Sequence, residues 1–125
     1  MGKQQEEAID RIFHALSDAT RRGILLRIAD SERTVGELAE PYKMSLAAVS
    51  KHLKVLERAG LLTRNVDGRV HRCTMNANPL EQAQEIIQRY RDFWKGRLDA
   101  LEEYLNRVNQ VPTPGSSKER GRRKI

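Results

Sequence analysis

The sequence predicts a mainly α fold broken by one β-hairpin, with elements in the order α-α-α-α-β-β-α. Three observations predict it. Apolar residues recur at helical spacing up to Gly60, an Asp-Gly pair then separates two short β-type runs, and from Asn78 the helical period returns for some thirty residues. The 125 residues carry 23 Lys plus Arg against 17 Asp plus Glu, a formal charge of +6. Such a surplus bears on association and makes a polyanion the first partner to consider. With 38% hydrophobic and 5% aromatic residues, the chain can fill one core but does not suit a multidomain enzyme with a deep pocket.

Each element has its own local signal. Ile9, Ile12, Phe13 and Leu16 stand at i, i+3, i+4 and i+7, which predicts an amphipathic helix over about residues 5–16. Ser17 or Asp18 caps the next helix by accepting from its free N–H groups, and Ile24, Leu25, Ile28 and Ala29 form its buried stripe. Thr34-Val35-Gly36-Glu37 fits the capping box, so a short helix follows that buries Val35, Leu38 and Ala39 and ends before Pro41.

Ser45 caps the fourth helix, in which Leu46, Val49, Leu53 and Leu56 form an apolar seam, and Gly60 closes it where a left-handed backbone is free of Cβ strain. The opposite face carries Ala47, Ser50, Lys51, Lys54 and Arg58. A short helix, a tight turn and a second helix with a cationic, small-residue outer face is the sequence form of a helix-turn-helix.

The β-type runs at 62–66 and 69–75 flank Asp67-Gly68, a pair that accepts the positive φ angles of a type I′ turn. They predict a wing with Arg64, Arg69 and Arg72 at its tip. Residues 43–72 hold seven bases, Lys43 among them, and two acids, Glu57 and Asp67. The charge is concentrated where the motif is.

Asn78-Pro79 reads as an Asn cap with proline at the first helical position, where its missing N–H costs nothing. About thirty residues at about 1.5 Å each make a rod of roughly 45 Å. The body before it has an expected radius of gyration of only about 11 Å. A rod of that length is hard to bury within one chain, which predicts a homodimer through the terminal helices. Its seam is Ile87, Tyr90, Trp94, Leu98, Leu101 and Leu105, with Ile9 and Phe13 of the first helix contributing. Tyr90, Phe93, Trp94 and Tyr104 read as dimer core, ahead of a small-molecule pocket between the long helices.

Residues 111–125 shift to Pro, Gly and Ser followed by five bases and one acid, a disordered basic tail by composition. The tail reads first as a solubilising end and second as a sequence-blind arm on DNA.

Together, the run from Phe13 through Ser17-Asp18-Ala19-Thr20-Arg21-Arg22, the segment Thr34-Val35-Gly36-Glu37-Leu38-Ala39, the stretch from Ser45 through Val49-Ser50-Lys51-His52-Leu53-Lys54 to Gly60-Leu61-Leu62, and Gly68-Arg69-Val70-His71 resemble the ArsR (arsenical-resistance repressor, SmtB-like) family of winged-helix regulators. The resemblance covers about residues 8–105. It implies a winged helix-turn-helix DNA-binding and dimerisation domain over 1–110, acting as a homodimeric repressor on an imperfect palindrome in double-stranded DNA and released by a signal the sequence does not name. Its DNA contacts map onto the helix from Ser45 to Ala59 and onto the Asp67-Gly68 wing; joined with the concentration of charge over 43–72, the candidate contacts are Lys43, Ser45, Ala47, Ser50, Lys51, Lys54 and Arg58, with Arg64, Arg69 and Arg72. Metal-sensing members carry a Cys-x-Cys pair in the short helix or His and acidic ligands along the last. Here residues 35–39 hold no cysteine and residues 79–108 no histidine, so the chain resembles the metal-independent branch, with no metal and no cofactor expected.

Other readings of single residues are less specific. A cationic stripe alone is usually a solvated face; its place in a helix-turn-helix with a wing makes it a DNA face. His52 sits beside the seam and reads as packing ahead of base contact, and His14 as packing or capping. His71 and Cys73 share a strand face, yet two ligands without a third do not make a metal site, and Cys73 reads as core ahead of redox sensing. No nucleophile elbow, phosphate loop, HExxH motif or acid pair is present, so an enzyme is not expected. No apolar run approaches the roughly 18 residues of a membrane span, and a cytoplasmic location is the expectation. A protein-interaction adaptor on the same scaffold is the competing function.

Overall fold

In a computed structural model, residues 2–109 of the chain are described. The order is α1 (Lys3–Leu16), α2 (Ala19–Asp30), β1 (Arg33–Thr34), α3 (Val35–Ala39), α4 (Leu46–Arg58), β2 (Leu62–Asp67), β3 (Val70–Met75) and α5 (Asn78–Asn109). The seven expected elements are present and one is added. The two residues of β1 pair antiparallel with β3, so the hairpin becomes a three-stranded sheet of order β1-β3-β2.

Side-chain hydrogen bonds set the helix boundaries. Asp18, not Ser17, caps α2, its Oδ2 accepting from the Arg21 N–H at 3.1 Å. Thr34 and Glu37 close the capping box of α3 reciprocally, at 3.1 and 2.8 Å. Ser45 Oγ accepts from the Ala48 N–H at 3.1 Å and starts α4.

Helix ends leave carbonyls without intrahelical partners, and arginines take them. Arg21, only 8% exposed, donates from Nε to the Ala15 carbonyl and from Nη2 to the His14 carbonyl, both at 2.9 Å. Arg22 donates to the Leu16 carbonyl at 2.8 Å, and Arg27 serves the Glu37 and Leu38 carbonyls of α3. The His14 side chain is exposed; its carbonyl does the work.

The core draws on Ile12 and Ala15 of α1, Ile24 and Ile28 of α2, Leu38 of α3, Leu53 and Leu56 of α4, Leu62 of β2, Cys73 of β3 and Ala83 of α5. Two expected core positions are outside it. Ala29 is exposed on α2, and Leu46, placed in the α4 seam by its spacing, is 61% exposed. At roughly 100° per residue, Leu46 points roughly 50° away from the mean direction of Val49, Leu53 and Leu56, and it lies in the first turn, where the neighbouring elements do not reach over it.

The wing turns one residue later than its Asp-Gly pair suggests. Asp67 is paired with Val70, so the two-residue loop is Gly68-Arg69, with Gly68 at φ +63°. The positive φ that only glycine adopts without strain is needed at the first turn position. Only Arg69 is therefore at the tip, while Arg64 and Arg72 lie mid-strand opposite Cys73 and Asn65.

The start of the last helix also differs. Asn78 is already helical, and the side chain that receives its N–H is Asn76, at 3.2 Å; Asn76 also donates to the Gly60 carbonyl at 3.1 Å. Gly60, at φ +77°, ends α4 in the left-handed conformation as expected.

The chain divides into two compact units, the first ending at Ile87 and the second beginning at Gln88, within α5. In the first unit α5 buries Pro79 and Ala83. In the second, Tyr90, Phe93, Trp94, Leu98, Leu101 and Leu105 are all exposed. Ile9 and Phe13 are half-buried against the core of the first unit. No helix among the described residues is long and apolar enough to cross a membrane. The expected tail at 111–125 lies outside the described residues.

Candidate nucleic-acid interface

The seam of α4 fixes its orientation. With Val49, Leu53 and Leu56 fully buried, Ala47, Lys51, Lys54 and Arg58 point outward and are exposed, as is Leu46 in the first turn, with Ser50 half-buried beside them. Lys51, Lys54 and Arg58 follow one another at three and four residues and so share a face. None of them has an ion-pair partner among the described residues, nor does Lys43 in the preceding turn.

The only acid on α4 is Glu57, and it is neutralised from the wing. Arg64 of β2 places Nη2 2.8 Å from Glu57 Oε1, with the Arg64 side chain 13% exposed. The same guanidinium lies 3.5 Å from His71 Nδ1. Arg64, expected at the DNA surface, is held as a strut between the wing and α4 and also borders the open groove beside Leu46 and Ser50. The strut removes the one negative charge that would oppose an anion along α4.

Arg72, also expected at the DNA surface, is half-exposed and lies 3.9 Å from Glu32, a loose surface pair beside β1. The turn leaves Arg69 exposed and unpaired among the described residues. Ser45 keeps a structural role as the cap of α4. Of the ten predicted contacts, Lys43, Ala47, Ser50, Lys51, Lys54, Arg58 and Arg69 are thus available to a ligand by exposure and pairing.

Four other titratable side chains near the core have structural roles or surroundings. His52, half-buried, accepts at Nδ1 from Arg21 Nη1 at 3.1 Å and lies 3.9 Å from Asp18, linking α4 to the start of α2. The Arg21 backbone N–H holds the Asp18 carboxyl below its ordinary range, and the Thr34 N–H does the same for Glu37. Cys73 is fully buried, and desolvation pushes its thiol up, which disfavours the reactive thiolate. Among the described residues no group of three or more His, Cys, Asp or Glu is arranged to hold a metal ion.

Sequence reasoning missed Arg21 and Leu46. Arg21 stands in the run Asp18-Ala19-Thr20-Arg21-Arg22, where an arginine three residues after a cap is a signal that the guanidinium can fold back onto the preceding helix end. Leu46 had no such signal, because periodicity alone places it in the seam.

Comparison with known proteins agrees with this arrangement. A helix-turn-helix domain model matches residues 16–65, which run from the end of α1 into β2. The HTH-type transcriptional regulator Rv2034 of Mycobacterium tuberculosis is 51% identical over 53 residues, 42% of this chain and 50% of that protein, so the chain spans about half of that relative's length. The transcriptional repressor SdpR of Bacillus subtilis is 29% identical over 75 residues, 60% of this chain and 83% of the repressor. A solved ArsR family transcriptional regulator, RHA00566, superposes with a TM-score of 0.68 at 32% identity, covering 76% of this chain and 95% of that one. With its short helix, cationic second helix and wing in this order, and with that identity over nearly the whole of a solved regulator, the chain belongs to the ArsR family of helix-turn-helix transcriptional regulators.

Proposed function

We propose that two copies of the chain bind one imperfectly palindromic duplex site and repress transcription there, each copy placing α4 in the major groove. The observation that carries this reading is the outward face of α4. Three cations without ion-pair partners among the described residues lie beside small side chains, and the helix's only acid is tied back by Arg64.

Lys51, Lys54 and Arg58 neutralise phosphates and release condensed counterions, which supplies affinity. Ala47 and Ser50 are short enough to let the helix approach base edges, which supplies sequence preference. Arg69 at the turn of the wing reaches phosphate or the adjacent minor groove. A second copy, joined through the exposed apolar seam of α5, sets the two recognition helices about 34 Å apart, one turn of duplex. The relatives' names support a regulatory output, and SdpR is named as a repressor. We read the releasing signal as something other than a metal at the two familiar sites, since α3 has no cysteine and α5 no histidine.

The test is the double charge reversal Lys51→Glu with Lys54→Glu, measured by gel shift on the preferred duplex and by sedimentation. Specific binding should fall by on the order of 100-fold or more, with the dimer intact. Undiminished affinity would remove α4 as the reading helix.

A further inference from the structure

We infer that Leu46 is a base-reading residue that recognises the 5-methyl group of a thymine in the major groove. The inference rests on the proposed function and names what one position of that site would select.

Leu46 is the first residue of α4 and is 61% exposed, while the three other apolar residues of the seam are fully buried. A single exposed leucine is ordinary. This one is not isolated: it borders an open groove between α3, the start of α4 and the wing, lined also by Val35, Ala47, Ser50, Arg69 and Val70. Val70 is 40% exposed and is the apolar counterpart across the groove. No acid lines the groove, and Lys51 and Lys54 stand on the same helix.

An apolar patch with a cationic, acid-free rim needs a ligand that offers both an anionic frame and an apolar point. A duplex offers both. Its phosphates match the rim, and the thymine methyl is the one apolar group that bases display in the major groove. The position along the helix agrees, because the residues that reach base edges are those at the N-terminal end of a recognition helix.

The test uses the full chain and the duplex it selects from random-sequence DNA. Single thymidines are replaced in turn by deoxyuridine, which removes only the methyl. Wild type and Leu46→Ala are titrated against each duplex by fluorescence anisotropy. At one thymine per half-site, the wild type should lose about fourfold in affinity on replacement, the equivalent of one buried methyl group. Leu46→Ala should start about that much weaker and lose nothing further at the same position. Thermal unfolding of the variant should match the wild type, since the side chain is outside the core.

The inference is overturned if deoxyuridine costs the wild type nothing at every position, or if it costs Leu46→Ala as much. It is equally overturned if the penalty vanishes in Val70→Ala and persists in Leu46→Ala. A chain that prefers no duplex over bulk DNA overturns the proposed function itself, an outcome distinct from tight, methyl-blind binding.

Discussion

Helices α4 and α5 are both amphipathic by sequence, yet folding leaves them in opposite states. On α4, Val49, Leu53 and Leu56 are covered by the chain's own α1, α2 and α3, and what faces water is Lys51, Lys54 and Arg58. On α5 only Pro79 and Ala83 are buried, and the apolar residues from Ile87 to Val108 remain exposed. Periodicity reports that a helix has an apolar stripe; it does not report what covers the stripe. Where the chain covers it, the free face is polar and suited to a charged ligand. Where it does not, a contiguous exposed apolar strip calls for a partner, which under our proposal is a second copy.

The largest expected effect breaks the α5 side of this contrast. Trp94→Glu with Leu98→Glu introduces four charges into the proposed dimer seam. Each lost side chain is worth about 1.5–3 kcal/mol of burial, so sedimentation should show monomer, and affinity for the full site should fall by on the order of 100-fold. An unchanged dimer would place the interface elsewhere. The α4 side is broken by Leu53→Ala, which should cost about 2–5 kcal/mol by denaturant titration, whereas Leu46→Ala on the same helix should stay within about 0.5 kcal/mol. Equal costs would mean that the two leucines share one environment.

A smaller effect is expected at Gly23 on α2, where an added Cβ would lie 2.5 Å from the Tyr42 hydroxyl oxygen. Gly23→Ala should change stability by less than about 1 kcal/mol, because the helix-propensity gain offsets displacement of the Tyr42 hydroxyl, and the same substitution should be more favourable in a Tyr42→Phe chain. No difference between the two chains would mean that the crowding lies elsewhere. The smallest concerns Asp18. Its carboxyl is held below the ordinary value by the Arg21 N–H, so the stability it contributes is present above about pH 4 and is lost as pH falls through the lowered value. Asp18→Asn should therefore flatten the acid limb of a stability profile below about pH 4; an unaltered limb would deny the cap its electrostatic part.

The sequence made most of the helices legible, because Asp18, Thr34-Glu37, Ser45 and Gly60 each act on neighbouring backbone groups, which lie within a few residues. It made β1 illegible, since two residues carry no period and their pairing partners, Cys73 and Arg72, are some forty positions away. Sequence leaves the wing turn uncertain by one residue, because Asp-Gly and Gly-Arg both supply the glycine, and only the register Asp67 to Val70 decides between them.

The candidate site divides in the same way. Lys51, Lys54 and Arg58 were readable from the helical period, being opposite the seam. Arg64 was not, because its charge is cancelled by Glu57 from another element, a contact that composition counts as two separate charges. Spacing groups Leu46 with the seam because it ignores where a helix begins.

Whether paired α4 helices lie on one duplex is measured most directly by chemical protection of guanine N7 in the major groove on the selected site with the full chain bound. Two protected windows are expected on one face of the duplex, centred about 34 Å apart. A single window, or faint protection spread evenly over selected and random duplexes alike, would contradict the pairing.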